Sequence, residues 1–117
     1  MKARSLGQGF PKASRIRKRP EFKQLGEVGK RLVGRYFIIV YRSSERDQSR
    51  IGITVTKKIG NAVTRNRLKR VCREFFRTHQ ERLVGFYDVH VIARGASTGV
   101  AHKELVSSLE KLFSQIM

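Results

Sequence analysis

The stretch Lys57 to Arg77, KKIGNAVTRNRLKRVCREFFR, holds the residues best suited to chemistry on an anion. Its centre, RNRLKR, carries four cations in six residues, and no acid stands between Lys57 and Glu74. Lys and Arg neutralise phosphates, and the Arg fork can donate two hydrogen bonds to one phosphate group. Such a run is a solvated helix face, a clamp on nucleic acid or part of an active site. Leu68, Val71, Cys72, Phe75 and His79 recur at helical spacing and form an apolar stripe. At ~100° per residue, Lys69, Arg70, Arg73 and Arg77 fall opposite that stripe, with Arg65 and Arg67 on its flanks. A solvated face is usually relieved by acids one turn away. Along Arg65, Lys69, Arg73 and Arg77 each neighbour at i,i+4 is another cation. Asn61, after Gly60, is placed to cap the helix, and Lys57 and Lys58 stand just upstream. The helix start therefore gathers positive charge, free N–H groups and the positive end of the helix dipole.

A protein active site for phosphodiester cleavage has different needs. It normally gathers carboxylates to hold metal, often two ions ~3.5–4 Å apart. The nine acids, Glu21, Glu27, Glu45, Asp47, Glu74, Glu81, Asp88, Glu104 and Glu110, are scattered with no paired cluster. His79, His90 and His102 have no metal-ligand spacing. His79 is expected to pack at the end of the stripe, His90 to sit on the less apolar face of a strand, and His102 to be exposed. Cys72, on the stripe, reads as a small core hydrophobe, and a single cysteine excludes a disulfide framework. A self-contained catalytic site is therefore not expected.

The surrounding elements must position this helix. The 117 residues suit one domain, and the net charge of +17 predicts a polyanionic partner. The excess lies entirely in residues 1–77, which hold 22 Lys and Arg against 5 acids. Residues 1–19 read as a flexible basic arm. PEFKQL is a short helix with Phe22 and Leu25 on one side, ended by Gly26 and Gly29. RYFIIVYR (Arg35–Arg42) is a strand, with Tyr36, Ile38 and Val40 facing one way and Phe37, Ile39 and Tyr41 the other. RIGITVTK (Arg50–Lys57) turns Ile51, Ile53 and Val55 to a core. Gly52, Thr54 and Thr56 face either solvent or a ligand. FYDVHVIA (Phe86–Ala93) is a third strand. A last helix, capped near Ser97 or Thr98, carries Leu105, Leu109, Leu112, Phe113 and Ile116. The order α-β-β-α-β-α gives class α+β, a two-layer α/β sandwich. No apolar run reaches the ~18 residues of a membrane span and nothing resembles a secretion signal, so the expected address is the cytoplasm.

With these residues in place, RIGITVTKKIGNAVTRNRLKRVCREFFR resembles the signature of the protein subunit of bacterial ribonuclease P. Lys57, Lys58, Asn61, Arg65, Asn66, Arg67, Leu68, Lys69, Arg70 and Arg73 all match it. YDVHVIARGAS resembles the family's late strand, with Arg94 at its basic position. RKRPEFKQL resembles its early helix, with Phe22 as the aromatic. The resemblance implies a protein cofactor of a ribonucleoprotein endonuclease whose RNA subunit removes the 5′ leader from precursor tRNA. It implies magnesium held mainly by RNA, which would account for the missing carboxylates. It also implies a left-handed β-α-β crossover, which the general preference for right-handed connections would not suggest. The implied partners are the catalytic RNA and precursor tRNA, with no membrane and no DNA. Asn61, Arg65, Asn66, Arg67, Lys69, Arg70 and Arg73 would bind the RNA subunit. Phe22, Tyr36, Val40, Thr54, Thr56, Lys57, Lys58 and Arg94 would bind the leader. Val40 stands where the family carries a cleft aromatic, and Gly26 where a second one is common. The competing readings are a general or ribosomal RNA-binding protein and a stand-alone nuclease.

Overall fold

A computed structural model describes residues 15–116. Residues 1–14, most of the expected basic arm, lie outside the described residues. The remainder runs α1 (Arg19–Val28), β1 (Lys30–Val33), β2 (Phe37–Ser43), β3 (Arg50–Thr54), α2 (Ala62–His79), β4 (Tyr87–Ala93) and α3 (His102–Phe113). The class is α+β, with four strands in the order β1-β2-β4-β3. β1 and β2 pair antiparallel, as do β2 and β4, whereas β3 runs parallel to β4. The sequence pattern missed β1. Two of its four residues are cations, and only Leu32 is even half-buried. Such a strand forms because β2 offers it backbone partners, and no period-2 apolar signal marks it.

The core lies between the sheet and the α2/α3 layer. Phe37, Ile39 and Tyr41 of β2, Ile51 of β3, and Tyr87, Val89, Val91 and Ala93 of β4 meet Leu68, Val71, Cys72, Phe75 and Phe76 of α2. Leu105, Leu109, Leu112 and Phe113 of α3 complete it. Alternation along each strand puts every second side chain there. Burial pushes the Cys72 thiol up to about 12, so it stays protonated and inert. A smaller apolar cluster on the opposite sheet face joins Leu25 of α1 and Ile16 to Val40, with Phe22, Ile38 and Ile92 at its margin. Thus α1 partly covers the second face.

Three local expectations are corrected. Gly26 does not end α1; a β-carbon there would touch nothing, and the helix continues to Gly29, whose N–H bonds to the Leu25 carbonyl at 2.8 Å. Ser97 and Thr98 do not cap α3, which starts at His102 after Ala101. Ser97 closes a 3-10 turn by donating to the Arg94 carbonyl, and Thr98 donates to the Ile59 carbonyl. Tyr36 does not share the Ile38/Val40 face. It precedes β2, joins the main core and donates its hydroxyl hydrogen bond to Glu104 at 3.1 Å.

Candidate nucleic-acid interface

The start of α2 is built as the spacing predicts. Asn61 is extended, and its side-chain oxygen accepts from the Thr64 N–H at 2.9 Å. The preceding 3-10 turn, Lys57–Ile59, leaves Lys57 and Lys58 exposed, as is Thr56 before it. No acid stands in the first turn of α2, so no side-chain carboxylate there competes for the helix's free N–H groups. Arg65 donates through Nε to the Gly60 carbonyl at 3.1 Å, folding its guanidinium over the turn. Arg67 donates to the Val100 carbonyl at 2.9 Å. Together with the Thr98–Ile59 bond at 2.9 Å, this ties the loop after β4 to the beginning of α2. Asn66 and Arg70 are exposed. Arg94 is exposed and donates to the Gly34 carbonyl at 2.8 Å.

One turn further along, Lys69 and Arg73 leave this surface. Both are half-buried and face a groove of about 180 Å³, lined also by Arg15, Arg17, Ile51 and Gly52. The groove follows the outer edge of β3, where residues 15–17 run alongside. Arg15 bridges to Ile51, and the Ile16 N–H bonds to the Ile51 carbonyl at 2.8 Å. The basic segment is therefore held against the sheet from Arg15 onward, four residues before the expected arm would end. Arg77, by contrast, does not belong to an unrelieved row, because Glu74 accepts from it at 3.2 Å.

Beside the groove, the second sheet face carries Phe22, His90, Thr54 and Gly52. Gly52 and His90 are directly paired across β3 and β4. The Phe22 ring lies over both. Its centroid is 4.5 Å from that of His90, and a β-carbon at position 52 would fall 2.3 Å from a Phe22 ring carbon. Glycine here lets the ring pack directly on the β3 backbone, and any side chain would displace it. Val40, on the same face, is buried under α1 and offers no surface for stacking; nor does Tyr36. Of the aromatics expected to face a leader, only Phe22 remains, and it is half-buried.

His90 shares a hydrogen bond of 2.8 Å between its Nε2 and Thr54 Oγ1. Burial pushes its imidazole down to about 4, from an ordinary 6.5. The folded state therefore refuses a proton that the unfolded chain accepts, and stability falls as pH drops from about 6.5 towards 4. Water still reaches part of the ring and screens it, so we expect acidification from pH 7 to pH 5 to cost on the order of 1 kcal/mol through this one group. Urea unfolding at the two pH values, for the parent and for His90→Gln, checks it. A pH dependence unchanged by the substitution would refute it.

Sequence reasoning missed the ionic node under α1. Arg50 donates through Nε and Nη2 to both carboxylate oxygens of Asp88, at 3.0 and 3.1 Å, and through Nη1 to Glu21 at 3.0 Å. Arg50 and Asp88 are 8% and 5% exposed. The hydrogen bond from Arg50 holds the Glu21 carboxyl below its usual range. Arg50 shares the parity of Gly52 and Thr54, which reads as the open face, and nothing in the sequence shows that α1 covers it there. His79 ends the α2 stripe as expected, stacked on Phe75 with ring centroids 3.9 Å apart. Among the described residues, no three His, Cys, Asp or Glu side chains come together as metal ligands. The described chain thus supplies no carboxylate cluster for magnesium. Also among them, no helix is long and apolar enough to cross a membrane.

The family model for ribonuclease P matches residues 10–117. The chain belongs to the ribonuclease P protein family. A ribonuclease P protein component from Desulfatibacillum aliphaticivorans is 48% identical over 107 residues, covering 92% of this chain and 91% of that relative. One from Desulforapulum autotrophicum is 41% identical over 108 residues, covering 92% of each. The solved ribonuclease P protein of Staphylococcus aureus superposes with a TM-score of 0.82 at 36% identity, over 88% of this chain and 94% of that one. The Thermotoga maritima ribonuclease P protein, in complex with 1-(4-fluorophenyl)-2-thiourea, gives 0.82 at 33%, over 87% and 99%. The ribonuclease P protein is a subunit of a ribonucleoprotein endoribonuclease of tRNA 5′ maturation, and that is the function of this chain.

Proposed function

We propose that the chain acts as a single RNA-binding domain with two working surfaces. The first is the start of α2. Arg65, Asn66, Arg67 and Arg70, with the Asn61 cap behind them, hold the phosphates of a catalytic RNA subunit. The second is the groove along β3, where the single-stranded 5′ leader of precursor tRNA lies. Lys69 and Arg73 form its helix wall and Arg15 and Arg17 its other wall, with Phe22 beside it as the stacking surface. Thr54 is set beside the ring through His90. Thr56, Lys57, Lys58 and Arg94 meet RNA where the two surfaces join. Unpaired bases stack on such rings, typically for ~1–3 kcal/mol per base by truncation. The observation that carries this reading is the cation-walled groove beside the Phe22–His90 pair, adjoining the basic start of α2. Tyr36 and Val40 act in packing.

The described residues do not assemble a carboxylate set for magnesium. Magnesium would be held mainly by the RNA, and this chain's residues would bind and align substrate.

Cleavage of precursor tRNA at low magnesium tests the reading. Stimulation is expected only when the cognate RNA subunit is present. Cleavage by protein alone would instead mark a nuclease, and no effect with the RNA subunit would mark a general RNA-binding protein. Within the complex, Phe22→Ala is expected to weaken precursor tRNA roughly five- to a hundredfold, the scale of one lost stacking contact, and mature tRNA little. Equal losses for both RNAs would reduce Phe22 to a packing residue.

A further inference from the structure

The helix that carries Phe22 is poorly secured by its own sequence. α1 has ten residues, fewer than the ~12–15 at which an isolated helix becomes even marginal in water. Its N-cap, Lys18, makes no side-chain capping bond. Only Leu25 is fully buried along its length. One ionic contact joins it to the sheet: Glu21, next to Phe22 in sequence, on Arg50. Arg50 is in turn locked to β4 by the two-oxygen grip of Asp88, its cross-strand neighbour. The guanidinium is planar, so two of its edges being fixed on Asp88 and Glu21 sets their relative direction.

We propose that Arg50, gripped by Asp88, is a positioning residue for leader binding: through Glu21 it sets where α1, and with it Phe22, stands beside the groove. The inference rests on the leader reading given above and adds a determinant that touches no RNA. Its footing is geometric. Apolar contacts at Leu25 and Ile16 permit sliding along the sheet, because they are non-directional. The charge-assisted bond is directional and fixes the register. Phe22 packs its ring directly on Gly52, so any shift of α1 along the sheet carries the ring off this contact.

The test uses Glu21→Gln in the complex assembled with the cognate RNA subunit. Glu21 is partly exposed, so this substitution leaves the buried Arg50–Asp88 pair in place and the fold intact. Its sign separates two physical effects. Removing an acid makes the protein more cationic, and long-range electrostatics alone would tighten both precursor and mature tRNA. Positioning predicts the opposite for precursor only. Its affinity should fall roughly three- to tenfold, the scale of coupling within one ion-pair network, while mature tRNA binds as well or better. In a Phe22→Ala background the Glu21→Gln effect on precursor should vanish, because no ring remains to be placed. Tighter or unchanged precursor binding by Glu21→Gln would overturn the proposal, as would an undiminished loss in the Phe22→Ala background. If Phe22→Ala itself failed to separate precursor from mature tRNA, the leader reading would fall first and this inference with it.

Discussion

Arg50→Ala is expected to lower the unfolding free energy by about 3–5 kcal/mol, the usual consequence of leaving one buried charge without its partner. The stranded group is Asp88, 5% exposed, which loses both hydrogen bonds at once. For a chain of this size the loss should lower the melting temperature by on the order of 10 °C or more. Urea titration gives the figure directly. Replacing the pair together, Arg50→Met with Asp88→Leu, should cost much less, because no uncompensated charge is left inside. A loss below about 1 kcal/mol for the single substitution would show that water reaches Asp88 and that the pair behaves as a surface contact.

The second large effect concerns the start of α2. Arg65→Ala with Arg67→Ala is expected to weaken binding of the RNA subunit by about thirty- to a thousandfold, taking roughly 1–2 kcal/mol for each charge-assisted contact. The same double substitution should flatten the dependence of log affinity on log salt by about 1.4–1.8, two phosphate contacts at ~0.7–0.9 each. Both side chains also hold carbonyls of the protein, those of Gly60 and Val100. A melting curve is therefore run beside the binding curve. Weaker affinity with an unchanged salt slope would mean that the arginines only brace the fold. A flattened slope assigns them to RNA.

The part of the site carried by one helix was legible in the sequence. The apolar stripe of α2 fixed its buried side, and Asn61 announced its cap. The strands' alternation identified most of the core and the open parity of Gly52, Thr54 and His90. What escaped depends on pairs far apart in the chain. Lys69 and Arg73 look outermost on a helical wheel, yet residues 15–17 and β3 come up beside them and make a groove wall. Arg50 looked like a strand boundary because its partners lie 29 residues before it and 38 after it. β1 was invisible because its stability comes from β2's backbone and not from its own side chains. Tyr36 was misplaced because strand alternation was extended one residue beyond the strand, where hydrogen bonding to Glu104 decides the side chain's direction.

β1 has a further effect, on the protein's behaviour towards copies of itself. It is the one strand in the sheet's described order with β2 as its sole neighbour, so its outer backbone groups form a template on which another strand could grow. Lys30 and Arg31, both exposed, stand on that template, with the apolar Val33 at its end. Two copies docking by this edge would have to bring their cations together in a low-salt medium. Like charges at an edge block such growth without capping it. The same repulsion fades as ions or phosphates neutralise it, so colloidal stability of the free protein should depend on the charge of what surrounds it.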